Sequence, residues 1–237
     1  MVDDKPRTPD ARETGAWRLG RRLAGAVVPE RLLERSRAAR KADLFRAAGV
    51  TFIHVPRAGG TSIANALYGG HIGHFPLRDL LVSVPRDVLE LPRFTIVRNP
   101  WERAVSAWRF ARAGKGSGGQ EALIANPARY RGPEFAEFDS FVRRFLMPAD
   151  VDRLDPVFRT QAWYVEAGGA RGFDHVGRLE DLPATAEWLV CTLGRDIAIG
   201  HHNRSEGDNW RAQYTPRLVD LVGQIYARDV ELFGYVF

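Results

Sequence analysis

The segment at residues 55–62 combines side chains that suit the binding of a phosphate or a sulfate. It reads VPRAGGTS and contributes one arginine, two glycines and two hydroxyls, namely Arg57, Gly59, Gly60, Thr61 and Ser62. Glycines let the backbone approach a ligand closely, and free N–H groups at the start of a following helix attract an anion. The segment lacks the Gly-Lys-Ser/Thr ending of the Walker A loop. On these residues alone, a structural glycine turn is as good an interpretation as a phosphate site.

A second segment, RNPWERAVS, places an arginine and a serine eight residues apart, at Arg98 and Ser106. Asn99 or Pro100 can begin a helix, so that Ser106 lies two turns into it. The two side chains can meet at one phosphate only if this helix runs back past the end of the preceding strand. Taken alone, the segment also allows a surface ion pair at Arg98 and simple packing at Ser106.

Two histidines, His71 and His74, lie in GHIGHFPLR at residues 70–78 and are candidates for a general base. Imidazole titrates close to neutral pH, which makes histidine the usual base for a hydroxyl. Either ring could equally be an ordinary loop histidine. A structural zinc takes four ligands, and no third ligand is evident beside this pair, so we predict no metal. His54, in a buried run, is expected to brace the turn that follows it.

Short apolar runs alternate with helix-prone segments along the chain. Buried strands are predicted at 51–55, 93–97 and 173–178, helices at 61–67, 100–112, 138–146, 157–166, 181–193 and 215–232, and a flexible loop at 114–119. This alternation predicts an α/β fold with a mainly parallel sheet. Ligands of such sheets bind at the carboxyl ends of the strands. Both anion-binding segments therefore belong to one predicted site.

The composition, with 237 residues and a net charge of +5, is that of an ordinary soluble globular protein. Residues 1–48 are interpreted as a flexible tail and a basic helical extension, and residues 49–237 as the main domain. The extension is expected to pack on the domain, with peripheral contact to an anionic membrane as the alternative. The absence of an apolar leader and of a run of about 18 apolar residues predicts a cytoplasmic protein. The single cysteine, Cys191, excludes an internal disulfide, and its apolar neighbours predict a buried thiol.

Together, the segments at 52–63 and 98–106 resemble the 5′-phosphosulfate loop and the 3′-phosphate motif of sulfotransferases, in the same order and with a similar separation. Two weaker blocks agree, VGRLEDL at 176–182 and the ending at 214–237. The resemblance is closest to the carbohydrate-type branch, which includes uronosyl 2-O-sulfotransferases and bacterial relatives. This branch usually has lysine where the chain has Arg57. Arginine keeps the charge, but it is planar and does not lose its proton.

The resemblance implies a P-loop-like, three-layer fold and a sulfotransferase that uses 3′-phosphoadenosine-5′-phosphosulfate (PAPS). The donor-binding residues that it implies are Arg57, Gly59, Gly60, Thr61 and Ser62 at the 5′ end, Arg98 and Ser106 at the 3′-phosphate, and Arg204 in a loop that could equally be solvated. Arg57 would also assist the leaving group. Similar enzymes imply His74 as the base, with His71 as second choice, and a rate that rises through a pKa near that of free imidazole. Gln161 and Trp163 are weaker candidates for the acceptor site.

The implied acceptor is a hydroxyl, expected on a glycan or a glycolipid, and the sequence leaves the oligomeric state open. Neither a metal nor a nucleic acid is expected as a partner. Two other classes stay open. An ATP-dependent small-molecule kinase is disfavoured because the Walker lysine and an acidic metal ligand at a strand end are missing. A non-catalytic polyanion binder is suggested by the charge alone, but it would need organised basic and aromatic patches.

Overall fold

The computed structural model describes residues 35–36, 38–114, 123–167, 172–199 and 209–237. Its strands are β1 (Thr51–Ile53), β2 (Arg93–Val97) and β3 (His175–Arg178). Its α-helices are α1 (Ala42–Ala48), α2 (Gly60–Tyr68), α3 (Leu77–Leu81), α4 (Arg86–Leu89), α5 (Pro100–Arg112), α6 (Phe138–Ser140), α7 (Gln161–Val165), α8 (Leu182–Leu193), α9 (Pro216–Ile225) and α10 (Ala227–Phe233). Short 3-10 turns lie at Pro127–Arg131, Pro133–Phe135, Val151–Arg153 and Trp210–Gln213, and a π-helical segment at Phe141–Leu146 continues α6.

The three described strands form one parallel sheet in the order β1-β2-β3. Phe52 lies opposite Phe94, and Thr95 lies opposite Val176. Every residue of β1 and β2 is buried, as expected for parallel strands that are covered on both faces. The predicted α/β fold with a parallel sheet is confirmed, and the carboxyl ends of β1 and β2 lie side by side.

The core consists of two clusters that meet along β2. The first surrounds β1 and β2 and includes Phe45, Phe52, Ile63, Phe94 and Ile96. The second surrounds α5 and α9 and includes Val97, Trp101, Trp108, Leu221 and Val222. Consecutive residues of β2, Ile96 and Val97, thus belong to different clusters. The turn that follows them is held by both, which fixes the direction in which α5 leaves the sheet.

The predicted helices at 157–166 and 215–232 are shorter or broken. The first begins only at Gln161, because the side chain of Thr160 caps it by accepting a hydrogen bond from the Trp163 N–H. The second is interrupted at Tyr226, whose φ of −106° and ψ of 29° are not helical. Its hydroxyl donates to the Phe158 carbonyl at 3.0 Å. In both places a tertiary or capping contact overrides the local preference for helix.

The prediction of a buried Cys191 is wrong, because the residue is exposed. Leu189 of the same helix is fully buried, and a position two residues further along lies about 200° around a helix. The apolar run therefore did not reveal which of its members face the core. In the described part of the chain, no helix combines the length and the apolar character that bilayer crossing requires. The predicted tail at 1–15, most of the loop at 114–119 and Arg204 lie outside the described residues.

Candidate functional site

In the turn between β1 and α2, the backbone of the glycines packs closely against side chains at the end of the strand. Gly59 has a φ of 79°, and α2 begins at the next residue. A Cβ on Gly60 would lie 2.7 Å from His54 Nε2 and 2.7 Å from Phe52 Cζ, so only glycine fits there. Arg57 has a φ of 64°, the one positive φ of a non-glycine residue in the described chain. Backbone strain of this kind, about 1–3 kcal/mol, persists where neighbouring contacts impose it, often at ligand sites.

Arg57 reaches across from this turn to the helix that follows β2. Its Nε and Nη2 donate to Ser106 Oγ at 3.0 and 2.9 Å. Its guanidinium also lies 4.6 Å from the centre of the Phe110 ring. Burial, followed by the nearby charges of Arg98 and Arg103, lowers the pKa of Arg57 to about 10. The group remains a cation at neutral pH, in surroundings that favour an anion beside it.

Arg98 lies at the end of β2 and faces the same place. Its Nη1 donates to the carbonyl of Arg57 at 3.2 Å, and its Nη2 pairs with Glu102 Oε1 at 2.8 Å. Its Nε is buried and has no hydrogen-bond partner among the described residues. A buried donor without a partner is costly, and an anionic ligand would satisfy it. The structure thus brings together Arg57, Arg98 and Ser106, so the condition that the sequence set for their meeting is fulfilled.

The backbone of Arg98 is clamped by one side chain, that of Gln161. Gln161 Oε1 accepts from the Arg98 N–H at 2.9 Å, and Gln161 Nε2 donates to the Arg98 carbonyl at 2.8 Å. Gln161 is 0% exposed, so it does not line an acceptor site, contrary to the sequence expectation. Trp163 stays a candidate, with its half-buried ring 4.0 Å from the Arg78 guanidinium carbon and 4.4 Å from that of Arg159.

A buried carboxylate supports this clamp from α10. Asp229 accepts from the N–H groups of Gln161 and Ala162 at 2.9 and 2.8 Å. Burial raises the pKa of Asp229 to about 6, although Arg103 and the two backbone donors oppose the rise. Asp229 thereby caps the start of α7 and positions Gln161. The sequence gave no indication of this link, since the residues are far apart in the chain.

Glu180 holds the residue after Arg98. It accepts from the Asn99 N–H at 2.6 Å and from the Tyr235 hydroxyl at 3.0 Å. Asn99 Oδ1 in turn accepts from the N–H of Trp101 at 3.0 Å, which caps α5. Glu180 thus orders the start of α5. It also ties the VGRLEDL block and the end of the chain to the start of α5.

Arg103 is a buried cation that sequence reasoning missed. It is 1% exposed, and it donates to the carbonyls of Pro56 at 2.9 Å and Arg159 at 2.7 Å. These bonds tie α5 to the turn after β1. Its position three residues before Ser106 was the available signal, because residues three apart share one face of a helix.

The three histidines near this turn form a compact group. His74 Nδ1 lies 2.7 Å from the His54 carbonyl oxygen, and His71 Nε2 lies 3.1 Å from His74 Nε2. His54 is buried, whereas His71 and His74 are half-buried. Burial lowers the pKa of His71 to about 4 and that of His74 to about 3, and the next cause is the charge of Lys41 for His71 and the adjacent His71 ring for His74. Both rings are therefore neutral at pH 7, with pKa values below the ordinary imidazole range that the sequence led us to expect.

The expectation that His71 and His74 lack a third neighbour of ligand type is wrong. His54 joins them, and one ring nitrogen from each of the three lies within 4.8 Å of the others. Two features disfavour a cation here. The Nε2 atoms of His71 and His74 are engaged with each other, and the charges of Arg57 and Arg103 act on His74. That the protein works without a metal stays a prediction.

In a comparison with protein families, residues 86–236 match a family described as "Sulfotransferase family". The match covers more than half of the chain and includes the Arg98 to Ser106 segment, the Glu180 block and Asp229. It begins after the turn that holds Arg57, so that turn rests on its own residues and geometry. No significant match is found among curated proteins or among solved structures.

Proposed function

We propose that this chain, which belongs to the sulfotransferase family, acts on a carbohydrate hydroxyl that His74 deprotonates. The family has a P-loop-like fold, and its members transfer a sulfuryl group from PAPS. One observation carries the proposal. The cations Arg57 and Arg98 lie at the carboxyl ends of β1 and β2, and Arg57 contacts the hydroxyl of Ser106 in α5. The neutral ring of His74, in the loop after α2, contacts the backbone of His54 just before the Arg57 turn. A binding site for a doubly phosphorylated donor and a base for its acceptor are thereby combined.

Donor binding uses two sets of groups in this proposal. Arg57, together with the backbone of Gly59, Gly60, Thr61 and Ser62, receives the 5′-phosphosulfate at the start of α2. Arg98 and Ser106 receive the 3′-phosphate. Two features support this division: the buried Nε of Arg98, which has no hydrogen-bond partner among the described residues, and the pKa of Arg57, which is lowered by burial and then by the charges of Arg98 and Arg103. Arg204, which lies outside the described residues, is proposed as a further donor contact.

The reaction that we propose is an in-line displacement at sulfur. The acceptor oxygen forms a bond to sulfur while the bond from sulfur to the bridging oxygen breaks, which leaves sulfated product and adenosine 3′,5′-bisphosphate (3′,5′-ADP). The proton of the acceptor hydroxyl passes to His74 Nε2. Negative charge grows on the leaving phosphate, and the guanidinium of Arg57 stabilises it. As in phosphoryl transfer, the protein acts mainly by positioning and by electrostatics.

Because its pKa is low, His74 needs the bound donor in order to act as the general base. At a pKa of about 3 the ring would be a weak base. Several negative charges of bound PAPS near Arg57 and Arg103 would favour the protonated ring and raise the pKa. The proposal therefore includes a base that becomes effective when the donor is present.

The proposal of a carbohydrate acceptor, as a glycan or a glycolipid, rests on the resemblance of the two turns to the carbohydrate-type branch. We further propose a domain at residues 49–237 that follows an extension at 1–48, in a cytoplasmic protein. Of that extension, α1 packs its Phe45, which is 0% exposed, into the first core cluster. Peripheral membrane contact by the basic part of the extension remains the alternative to packing.

A donor-binding experiment tests the proposal first. 3′,5′-ADP should raise the melting temperature far more than AMP or ATP with Mg²⁺, because only the former offers a 3′-phosphate. Equal shifts from 3′,5′-ADP and AMP would contradict the donor assignment.

Incubation with labelled PAPS and a panel of glycans, followed by mass spectrometry, then identifies the acceptor. Activity should survive EDTA, and a loss that a divalent ion restores would contradict the metal-free mechanism.

A further inference from the structure

The proton positions on His71 and His74 follow from the two backbone groups at the ends of their hydrogen-bond chain. The Gly73 N–H donates to His71 Nδ1 at 3.0 Å. Because an amide N–H can only donate, His71 Nδ1 must hold a lone pair. At the other end, His74 Nδ1 lies 2.7 Å from the His54 carbonyl oxygen. Because a carbonyl can only accept, His74 Nδ1 must carry a hydrogen.

Each ring is neutral at pH 7, since burial lowers the pKa of His71 to about 4 and that of His74 to about 3. A neutral imidazole carries one N–H and one lone pair. The hydrogen of His71 is therefore on Nε2, and the lone pair of His74 is on Nε2. These two atoms are 3.1 Å apart. His71 Nε2–H thus donates to the only lone pair that His74 has available for a substrate proton.

We propose that His71 is a positioning residue that caps the base: its N–H occupies His74 Nε2 until the acceptor hydroxyl replaces it. This inference rests on the proposed function, in which His74 is the base. In this proposal His71 is not a second base, and it does affect how the acceptor reaches His74. An acceptor must break the hydrogen bond between the two rings before its own hydroxyl can donate to His74.

The surroundings of His71 suit a cap that is held but can be displaced. Lys41 Nζ donates to the His71 carbonyl at 3.2 Å, and its charge helps to keep the His71 ring neutral. Positive φ angles at Gly69 (67°) and Gly73 (91°) flank the residue. Glycine takes up such angles and their alternatives at little cost, so the short loop can release the ring. His74 is held more firmly, by its bond to the backbone of His54.

Kinetics of two substitutions separate the cap from other roles. His71→Phe keeps an aromatic ring but removes the N–H, so the acceptor no longer competes with it. The acceptor KM should fall about 2- to 10-fold, the worth of one net hydrogen bond, and kcat should change less than KM. His71→Gln offers an amide N–H in place of the Nε2–H and should restore a KM close to that of the wild type. A rise in KM, or a loss of kcat of about 10²-fold in His71→Phe, would overturn the cap.

A spectroscopic test does not depend on the reaction. Long-range proton–nitrogen NMR correlations of the full-length protein labelled with nitrogen-15 report which ring nitrogen carries the hydrogen. We expect the Nδ1–H form for His74 and the Nε2–H form for His71, with the His74 Nε2 signal shifted in His71→Phe. An Nε2–H form of His74 would overturn the proposal. Full activity of His74→Ala would instead remove the proposed base, and the NMR result would still decide whether the hydrogen bond exists.

Discussion

The turn after β1 and the turn after β2 serve one site but are built in different ways. The first is shaped mainly by backbone conformation, through the positive φ angles of Arg57 and Gly59 and the close packing of Gly60. The second is fastened by buried side chains from distant parts of the chain, Gln161 and Glu180, with Asp229 behind Gln161. Buried polar contacts of this kind rigidify a structure when every partner is satisfied. The comparison teaches that one turn of the candidate site depends on glycine and positive φ angles, whereas the other depends on side chains from distant parts of the chain.

The largest effect is expected from His74→Ala, in the loop after α2 whose ring contacts the backbone just before the first turn. Removal of a general base should lower kcat by about 10²–10⁴-fold, while binding of 3′,5′-ADP should barely change. The measurement is steady-state kinetics together with calorimetric binding of 3′,5′-ADP. An unchanged kcat would show that His74 is not the base.

The second turn should show its effect in binding. Arg98→Ala removes the buried Nε and should lower the preference for 3′,5′-ADP over AMP by about 10- to 100-fold, as expected for one or more hydrogen bonds to a charged group. Arg86→Ala is the matched control, because Arg86 is exposed and pairs only with Glu90 in the described contacts. If Arg98→Ala weakened both nucleotides equally, the second turn would not be the part that recognises the 3′-phosphate.

The smallest expected effect is a difference in how His74 and Asp229 change the stability of the protein with pH. The pKa of His74 is lowered from its ordinary 6.5 to about 3, so the folded protein binds fewer protons there than the unfolded chain, and this contribution to stability falls as pH drops below about 6.5. The pKa of Asp229 is raised from 3.8 to about 6, so its contribution rises as pH falls from about 6 to about 4. The histidine loop beside the first turn and the carboxylate behind the second therefore respond to acid with opposite signs.

Urea unfolding between pH 7 and pH 4 measures this difference. Relative to the wild type, His74→Gln should lose less stability on acidification, and Asp229→Asn should lose more, because each variant lacks one of the opposing contributions. Curves for both variants that run parallel to that of the wild type would show that neither group titrates as the structure indicates.

Several features of the site could be predicted from local sequence. Glycine at 59 and 60 before a helix, arginine at 57 and 98 and the eight-residue interval to Ser106 each depend on neighbours along the chain. The parallel α/β sheet followed from apolar runs that alternate with helical segments, and it is confirmed by the order of the three strands. The histidine pair was recognised by residue type and spacing alone.

Other features required contacts that local patterns do not contain. Cys191 was misjudged because an apolar run does not indicate which face of a helix is buried. The helix at 215–232 breaks at Tyr226, whose hydroxyl is bonded to the distant Phe158 carbonyl. The buried roles of Gln161 and Asp229 arise because α7 and α10 pack together, although 68 positions separate these residues in the chain.

By itself, the sequence determined the chemical groups of this protein: two turns that carry arginines, glycines and hydroxyls, a histidine loop, and a sheet whose strand ends bring them together. These properties are local, because glycine freedom, side-chain charge and apolar periodicity act over a few residues. Only the tertiary structure decided the state of those groups. Burial made His71 and His74 neutral, proximity joined Arg57 to Ser106, and backbone groups fixed the histidine protons. Desolvation and hydrogen-bond geometry depend on all the elements packed around a residue, so they appear only once the chain has folded.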